Sequence, residues 1–293
     1  MSTISIAAQI FRGIALCFIA VGGTLANTLS LSYFITKADR SLGTKLLILL
    51  SILDLGVCLT AVSVPFLPYD DGDYVVTYAV IAVNILFVEA TGFTTFLLSA
   101  TRTIRLCRPF YRINQTVVFV LFGIYTGYVM VREGLRVASS ILYDESSIAQ
   151  VYYINYFFML VLGGLVIILA VIISNTITVM ELLKDGQHDV SSTANKRATV
   201  TVIILSLLYC SFNTVSLVII GGYTILDWEV SDFVVDTNFM TVPLNSGLNP
   251  VVYFCRKWEM REYVRGVWRR SVVCRNRVVT PTIAMLNLNE TVS

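Results

Sequence analysis

Charge is scarce in this chain of 293 residues. Asp, Glu, Lys and Arg make up 14% of it, while apolar residues make up 56%. Ordinary soluble proteins carry about 25% charged residues, and a soluble surface depends on that charge, so a water-soluble globular domain is excluded. The single histidine, His188, lies in a polar stretch and is expected at a solvated surface. The six cysteines form no CxxC pair, and no His/Cys cluster exists, which removes the usual metal-site signatures. HExxH, GxSxG and paired His/Asp patterns are missing as well, so no enzymatic activity is expected. Nothing marks a nucleic-acid-binding surface, and no such partner is expected. No cleavable signal peptide is evident, because the first apolar run is not followed by a cleavage site and a polar sequel.

What is present is length in apolar runs. Seven can be marked: about Ile10 to Ile35, Leu46 to Phe66, about Tyr74 to Ser99, Thr116 to Val131 with its far end left open, Val151 to Leu183, Ala198 to Tyr223 and Phe233 to Cys255. Each approaches the roughly 20 residues that cross about 30 Å of hydrocarbon as a helix. The fourth is the shortest, ending at Arg132. Charge argues for keeping it. With seven spans, 18 of the 21 basic residues fall on one side, leaving only Arg12, Arg132 and Arg136 on the other. The positive-inside rule then places the N-terminus outside and the C-terminus in the cytoplasm of a multi-pass membrane protein, and the plasma membrane is the expected location. The expected fold is an all-α membrane bundle of seven transmembrane helices over residues 1–255. A cytoplasmic segment, 256–293, follows it. There Trp258, Met260, Tyr263, Val264, Val267 and Trp268 alternate with Arg261, Arg265, Arg269 and Arg270 at helical spacing. Such a pattern suits a short amphipathic eighth helix on the inner leaflet, its arginines toward anionic lipid. Cys274, just beyond, is either a palmitoylation site or an unmodified thiol.

Several polar residues interrupt the apolar runs. Asn249-Pro250-Val251-Val252-Tyr253 lies near the inner end of the seventh, where proline removes a backbone donor and weakens the helix locally. Thr101-Arg102-Thr103 ends the third and is followed by Cys107-Arg108-Pro109-Phe110. Asn27, Asp54, Thr91, Asn245 and Ser246 sit within the first, second, third and seventh runs. A carboxylate at the bilayer centre costs about 2.5–3.5 kcal/mol on insertion scales, so Asp54 is expected to face the bundle interior among partners. Such a set either binds an ion or clamps helices together. Along the third run, Asn84, Thr91, Leu98 and Arg102 share one stripe at 100° per residue, with Asn84 about 27 Å from Arg102. Glu89 points elsewhere, and its partner is not legible from periodicity.

Together these stretches resemble the rhodopsin-like G-protein-coupled receptor family. Asn249, Pro250 and Tyr253 match its Asn-Pro-x-x-Tyr motif. Arg102, with Pro109 seven residues later, matches the arginine of its Asp-Arg-Tyr motif, although Thr101 and Thr103 replace the acid and the aromatic. The resemblance implies that Arg102, Asn249, Pro250 and Tyr253 form a switch for a heterotrimeric G protein. It also implies a hydrated cluster of Asn27, Asp54, Thr91, Asn245 and Ser246 that binds a sodium ion at Asp54, with no other cofactor. Asn84, Phe87, Ser211 and Asn213 are the weakly indicated pocket for a small molecule or short peptide. Without the resemblance, Arg102 reads as an ordinary cytoplasmic arginine. The departures point to a divergent branch of the invertebrate orphan or chemosensory kind: Ser211 and Asn213 stand where the family has its sixth-span aromatic and proline, and the outer disulfide cannot form. Pro243 stands where opsins need a lysine, and Asn84 where aminergic receptors need an aspartate, which argues against both ligand classes. Ten acids on the outer segments, including Asp70, Asp71, Asp73 and Glu133, outweigh the three outer arginines, so a cationic ligand is expected. The alternative is an ion-coupled transporter or channel using Asp54 and Glu89, against which no internal repeat is visible.

Overall fold

The computed structural model describes residues 3–37, 41–63, 74–108, 110–142, 147–185, 193–225 and 232–269. All of the secondary structure among them is helical: α1 (Thr3–Thr36), α2 (Leu42–Ser63), α3 (Tyr74–Cys107), α4 (Gln115–Leu142), α5 (Ser147–Asp185), α6 (Thr193–Ile225), α7 (Asp232–Arg256) and α8 (258–269). Each apolar run of the sequence coincides with one of the first seven. His188, Cys274, Pro109 and the loop acids Asp70, Asp71, Asp73, Asp144, Glu145, Asp227 and Glu229 lie outside the described residues.

Local chemistry sets several boundaries. Ser41 caps α2, its hydroxyl accepting from Thr44 N at 3.4 Å, and Asn114 caps α4 by accepting from Thr116 N at 2.9 Å. α3 stops at Cys107, two residues before Pro109, as the steric demands of proline require. α7 instead stays helical through Pro243 and Pro250.

Six helices among the described residues are long and apolar enough to cross a membrane: Gly13–Thr36, Leu42–Ala61, Val76–Cys107, Gln115–Ser139, Val161–Leu183 and Arg197–Ile219. The protein is therefore a multi-pass membrane protein built as a helical bundle. Its outward faces agree. Phe18 is 82% exposed, Ile124 65% and Leu183 74%. Apolar belts of that extent would drive aggregation in water, whereas hydrocarbon needs no partner for them.

The chain divides into two compact units, Met1–Val252 and Tyr253–Ser293. In the first, α3 is the hub, packed against α2, α4, α5 and α6, while α1 packs on α2 and α5 on α6. Ile167, Ile168 and Val171 of α5 bury against Tyr209 of α6. α1 and α7 approach through glycines. A Cβ on Gly23 would lie 2.6 Å from Cys58 Sγ and 3.3 Å from Gly247 Cα, so no side chain fits at that crossing. In the second unit, α8 starts after Lys257, whose N–H donates to Tyr253 O at 2.8 Å, and Tyr253 and Met260 are buried.

The fourth span is longer than its apolar run. α4 continues ten residues past Arg132, and Arg132, Glu133 and Arg136, expected at an outer loop, lie on the helix and are buried or nearly so. Glu133 is thus not part of an acidic outer rim. The reason is mutual neutralisation, described next.

Candidate functional site

The polar cluster begins with Pro250. Proline has no N–H, so the carbonyl of Ser246, four residues earlier, has no partner within α7. Asn27 of α1 supplies one: its Nδ2 donates to Ser246 O at 3.1 Å and to Gly23 O at 3.0 Å. The Gly23–Gly247 crossing brings the two backbones close enough for this reach. One turn along α7, Asn249 Nδ2 donates to Asp54 Oδ2 of α2 at 2.7 Å. Ser246 and Thr91 of α3 also face the Asp54 carboxylate. Asn27, Asp54, Thr91, Asn245, Ser246 and Asn249 are all buried. These residues, Asn249 among them, thus lie together, drawn from four helices.

Hydrogen bonding in the cluster is incomplete. Among the described residues, Asp54 Oδ1, Thr91 Oγ1, Asn245 Oδ1 and Asn27 Oδ1 are buried with no hydrogen-bond partner. Buried polar atoms of this kind are costly unless something else satisfies them. Two of them, Thr91 and Asn245, line a void of about 10 Å³ together with Ser246, Val88, Tyr209, Asn213 and Val242, while Asp54 and Asn27 are not part of its lining. That is close to the space one water or one small ion takes. Thr91, Asn245 and Ser246 bring neutral oxygens to the void, and the Asp54 carboxylate lies against Ser246 and Thr91; oxygen donors of this kind are those a hard cation takes.

Arg102 lies at the end of α3 and extends toward the start of α2, where a Cβ on Gly43 would meet its Nη2 at 3.2 Å. Thr101 takes no part in a carboxylate lock: its hydroxyl donates to Leu98 O of its own helix at 3.1 Å. Thr103 ties α3 to α5, through Ser174 O at 2.9 Å and Thr178 Oγ1 at 2.8 Å. One turn above Arg102, Ser99 and Ser206 share a buried hydroxyl–hydroxyl bond of 2.8 Å that joins α3 to α6.

The four residues proposed to line a ligand pocket are not brought together. Asn84 Nδ2 donates to Thr60 Oγ1 of α2 at 2.7 Å, and the Phe87 ring occupies the space over Gly56, also on α2. Ser211 is exposed, with its hydroxyl bonded back to Leu207 O at 2.8 Å. Only Asn213 lines the small void, its Nδ2 held by Tyr209 O at 2.9 Å. Tyr209, two residues before Ser211, is the aromatic that faces inward: it is buried, and its hydroxyl packs where a Cβ of Gly92 would be.

A second polar system escaped sequence inspection. Glu89 of α3 pairs with Arg132 of α4 and accepts from Tyr125 Oη at 3.0 Å. Arg132 also pairs with Glu133 at 2.9 Å, and Glu133 with Arg136 at 3.0 Å. Arg136 Nη2 then donates to Tyr78 O of α3 at 3.3 Å. Each guanidinium also lies over a tyrosine ring, Tyr128 and Tyr78 respectively, 5.9 Å from its centroid. Among the described residues two acids and two bases thus cancel, which lets α4 carry three charges in its C-terminal half. The available signal was the opposite charge of Glu89 and Arg132, together with Glu133 and Arg136 at i,i+3 and Arg132 and Arg136 at i,i+4 on α4.

No family model matches the chain, and no curated protein matches it.

Proposed function

We propose that the chain is a rhodopsin-like G-protein-coupled receptor that binds a small-molecule or short-peptide ligand in the outer half of the bundle and activates a heterotrimeric G protein. The observation that carries this proposal is the buried junction of Asp54 with Asn249, one residue from the helix-weakening Pro250, within a cluster drawn from α1, α2, α3 and α7. A rigid scaffold has no need of unsatisfied buried oxygens beside a proline in a helix; a helix that changes packing does. In this scheme α7 is the seventh span and α8 the amphipathic helix on the inner leaflet. Lys45 Nζ donates to Gln115 Oε1 at 2.7 Å, which puts the starts of α2 and α4 on the same face. Arg102 reaches that face too. The basic residues Lys45, Arg105, Arg108 and Arg112 therefore gather at one end of the bundle, which the positive-inside rule assigns to the cytoplasm of a plasma-membrane protein.

Each group has a role in that scheme. Sodium at Asp54, held with Thr91 and Asn245, would supply positive charge that favours the packed arrangement of α7. Agonist binding loosens α6 from α3 by breaking the Ser99–Ser206 bond. Arg102 then enters the opened inner cavity and meets the G protein, and Thr101 stands where an acid would lock it from the neighbouring position. The acids of the outer segments favour a cationic ligand.

Nucleotide exchange on a co-reconstituted G protein, without ligand, tests the proposal. The wild-type chain should accelerate exchange, and Arg102→Ala should abolish the acceleration at equal surface expression. Undiminished exchange from Arg102→Ala would refute the switch. The buried charges Glu89, Arg132, Glu133 and Arg136 favour the competing idea of an ion-coupled transporter or channel. Ion flux through the purified protein with no exchange activity would decide for it.

A further inference from the structure

Between the starts of α2 and α4 lies an open groove of about 450 Å³, lined by Lys45, Gln115, Thr116, Phe119 and Val120. Its chemistry is split. Lys45, Gln115 and Thr116 form a polar end, and Phe119 and Val120, both exposed, form an apolar wall one turn further along α4. The split coincides with the edge of the membrane-spanning segments, since Leu42 and Gln115 are the first residues of their spans. A groove at that depth faces lipid headgroups at its mouth and acyl chains along its wall.

We propose that this groove is a binding site for one anionic phospholipid of the leaflet that α2 and α4 start from, with its phosphate at Lys45 and an acyl chain along Phe119 and Val120. Charge complementarity selects the occupant. Lys45 Nζ uses one donor on Gln115 Oε1, and an ammonium has three. Arg112, exposed three residues before Gln115, adds a second positive charge ahead of the groove, and the segment from Arg102 to Gln115 contains no acid. The α4 N-terminus adds the positive end of its dipole, and Asn114 occupies only one of its free amides. A zwitterionic lipid offers the same phosphate but brings its own cation to a site already positive. The inference rests on the protein's being a membrane bundle, not on receptor activity, so failure of G-protein coupling would leave it standing.

The test is native mass spectrometry of the full-length protein released from mixed micelles containing phosphatidylserine and phosphatidylcholine. The wild type should retain one phosphatidylserine in preference to phosphatidylcholine. Loss of one cation near an anionic surface is worth about a fivefold change in occupancy, so Lys45→Gln should lower phosphatidylserine retention about fivefold and leave phosphatidylcholine unchanged. Phe119→Asp, which places a charge in the acyl path, should lower retention of both lipids at this site. Arg197→Gln, an exposed arginine on α6, serves as a charge-matched control and should leave the retained lipid in place. If inorganic phosphate at millimolar concentration displaces the lipid fully, the site recognises phosphate alone and the lipid assignment fails. Equal phosphatidylserine retention by wild type, Lys45→Gln and Phe119→Asp would also overturn it.

Discussion

Replacing Glu89 by Gln should destabilise the bundle far more than losing a surface ion pair would. The side chains of Glu89, Arg132, Glu133 and Arg136 are 14%, 10%, 4% and 6% exposed, which puts the network in the buried regime. An exposed pair contributes about 0–1 kcal/mol. Removing one partner of a buried pair costs about 3–5 kcal/mol, because the other charge is left uncompensated. In Glu89→Gln, Arg132 keeps Glu133, but Glu133 must then serve two guanidiniums, and one net positive charge remains within the span. The expected cost is about 3 kcal/mol, near the insertion cost of a single unpaired arginine. For a protein of this size that is a fall of roughly 6 °C or more in the apparent thermal midpoint, measurable in detergent by loss of the monodisperse peak on heating. Arg132→Met should act similarly. The double variant Glu89→Met with Arg132→Met should recover much of the loss, since well-packed apolar groups often replace a buried pair at little cost. Additive effects below about 1 kcal/mol for each single variant, with no recovery in the double variant, would show that the pair does not hold α4 against α3.

Three further outcomes are expected. Asp54→Asn should abolish any effect of sodium on agonist affinity, checked by competition binding in sodium against a large organic cation; an unchanged sodium effect would make the cluster a structural clamp. Ser206→Ala should raise ligand-independent nucleotide exchange up to about fivefold, because a net hydrogen bond of about 1 kcal/mol then no longer holds α6 to α3; unchanged basal exchange would count against separation of these helices in activation. Neutralising Asp70, Asp71 and Asp73 together should slow ligand association and flatten its salt dependence with little change in dissociation, and an agonist whose association rate ignores salt would remove the acidic segments from ligand selection.

The positions of the helices were open to sequence inspection because hydropathy sums over a window and needs no knowledge of neighbours. The length of α4 was not, for the same reason. Arg132, Glu133 and Arg136 each count against a span when taken singly, yet with Glu89 they form a neutral network whose closing member comes from another helix. The polar cluster was half legible. That Pro250 leaves a carbonyl without its helical donor follows from the sequence, and an amide such as Asn27 is an apt replacement; that the two meet depends on the Gly23–Gly247 crossing, which no single-helix pattern reveals. On α6 the inward face was misjudged. Fifteen of the 21 residues from Val200 to Ile220 are apolar, so periodicity separates a lipid face from a core face only weakly, and alignment to a motif the chain lacks pointed to Ser211. The structure turns Ser211 outward and Tyr209 onto Gly92. Glycine was the available clue, for Gly92 leaves room on α3 that an aromatic from a facing helix must fill, and a bulkier residue there would have left Tyr209 nowhere to lie.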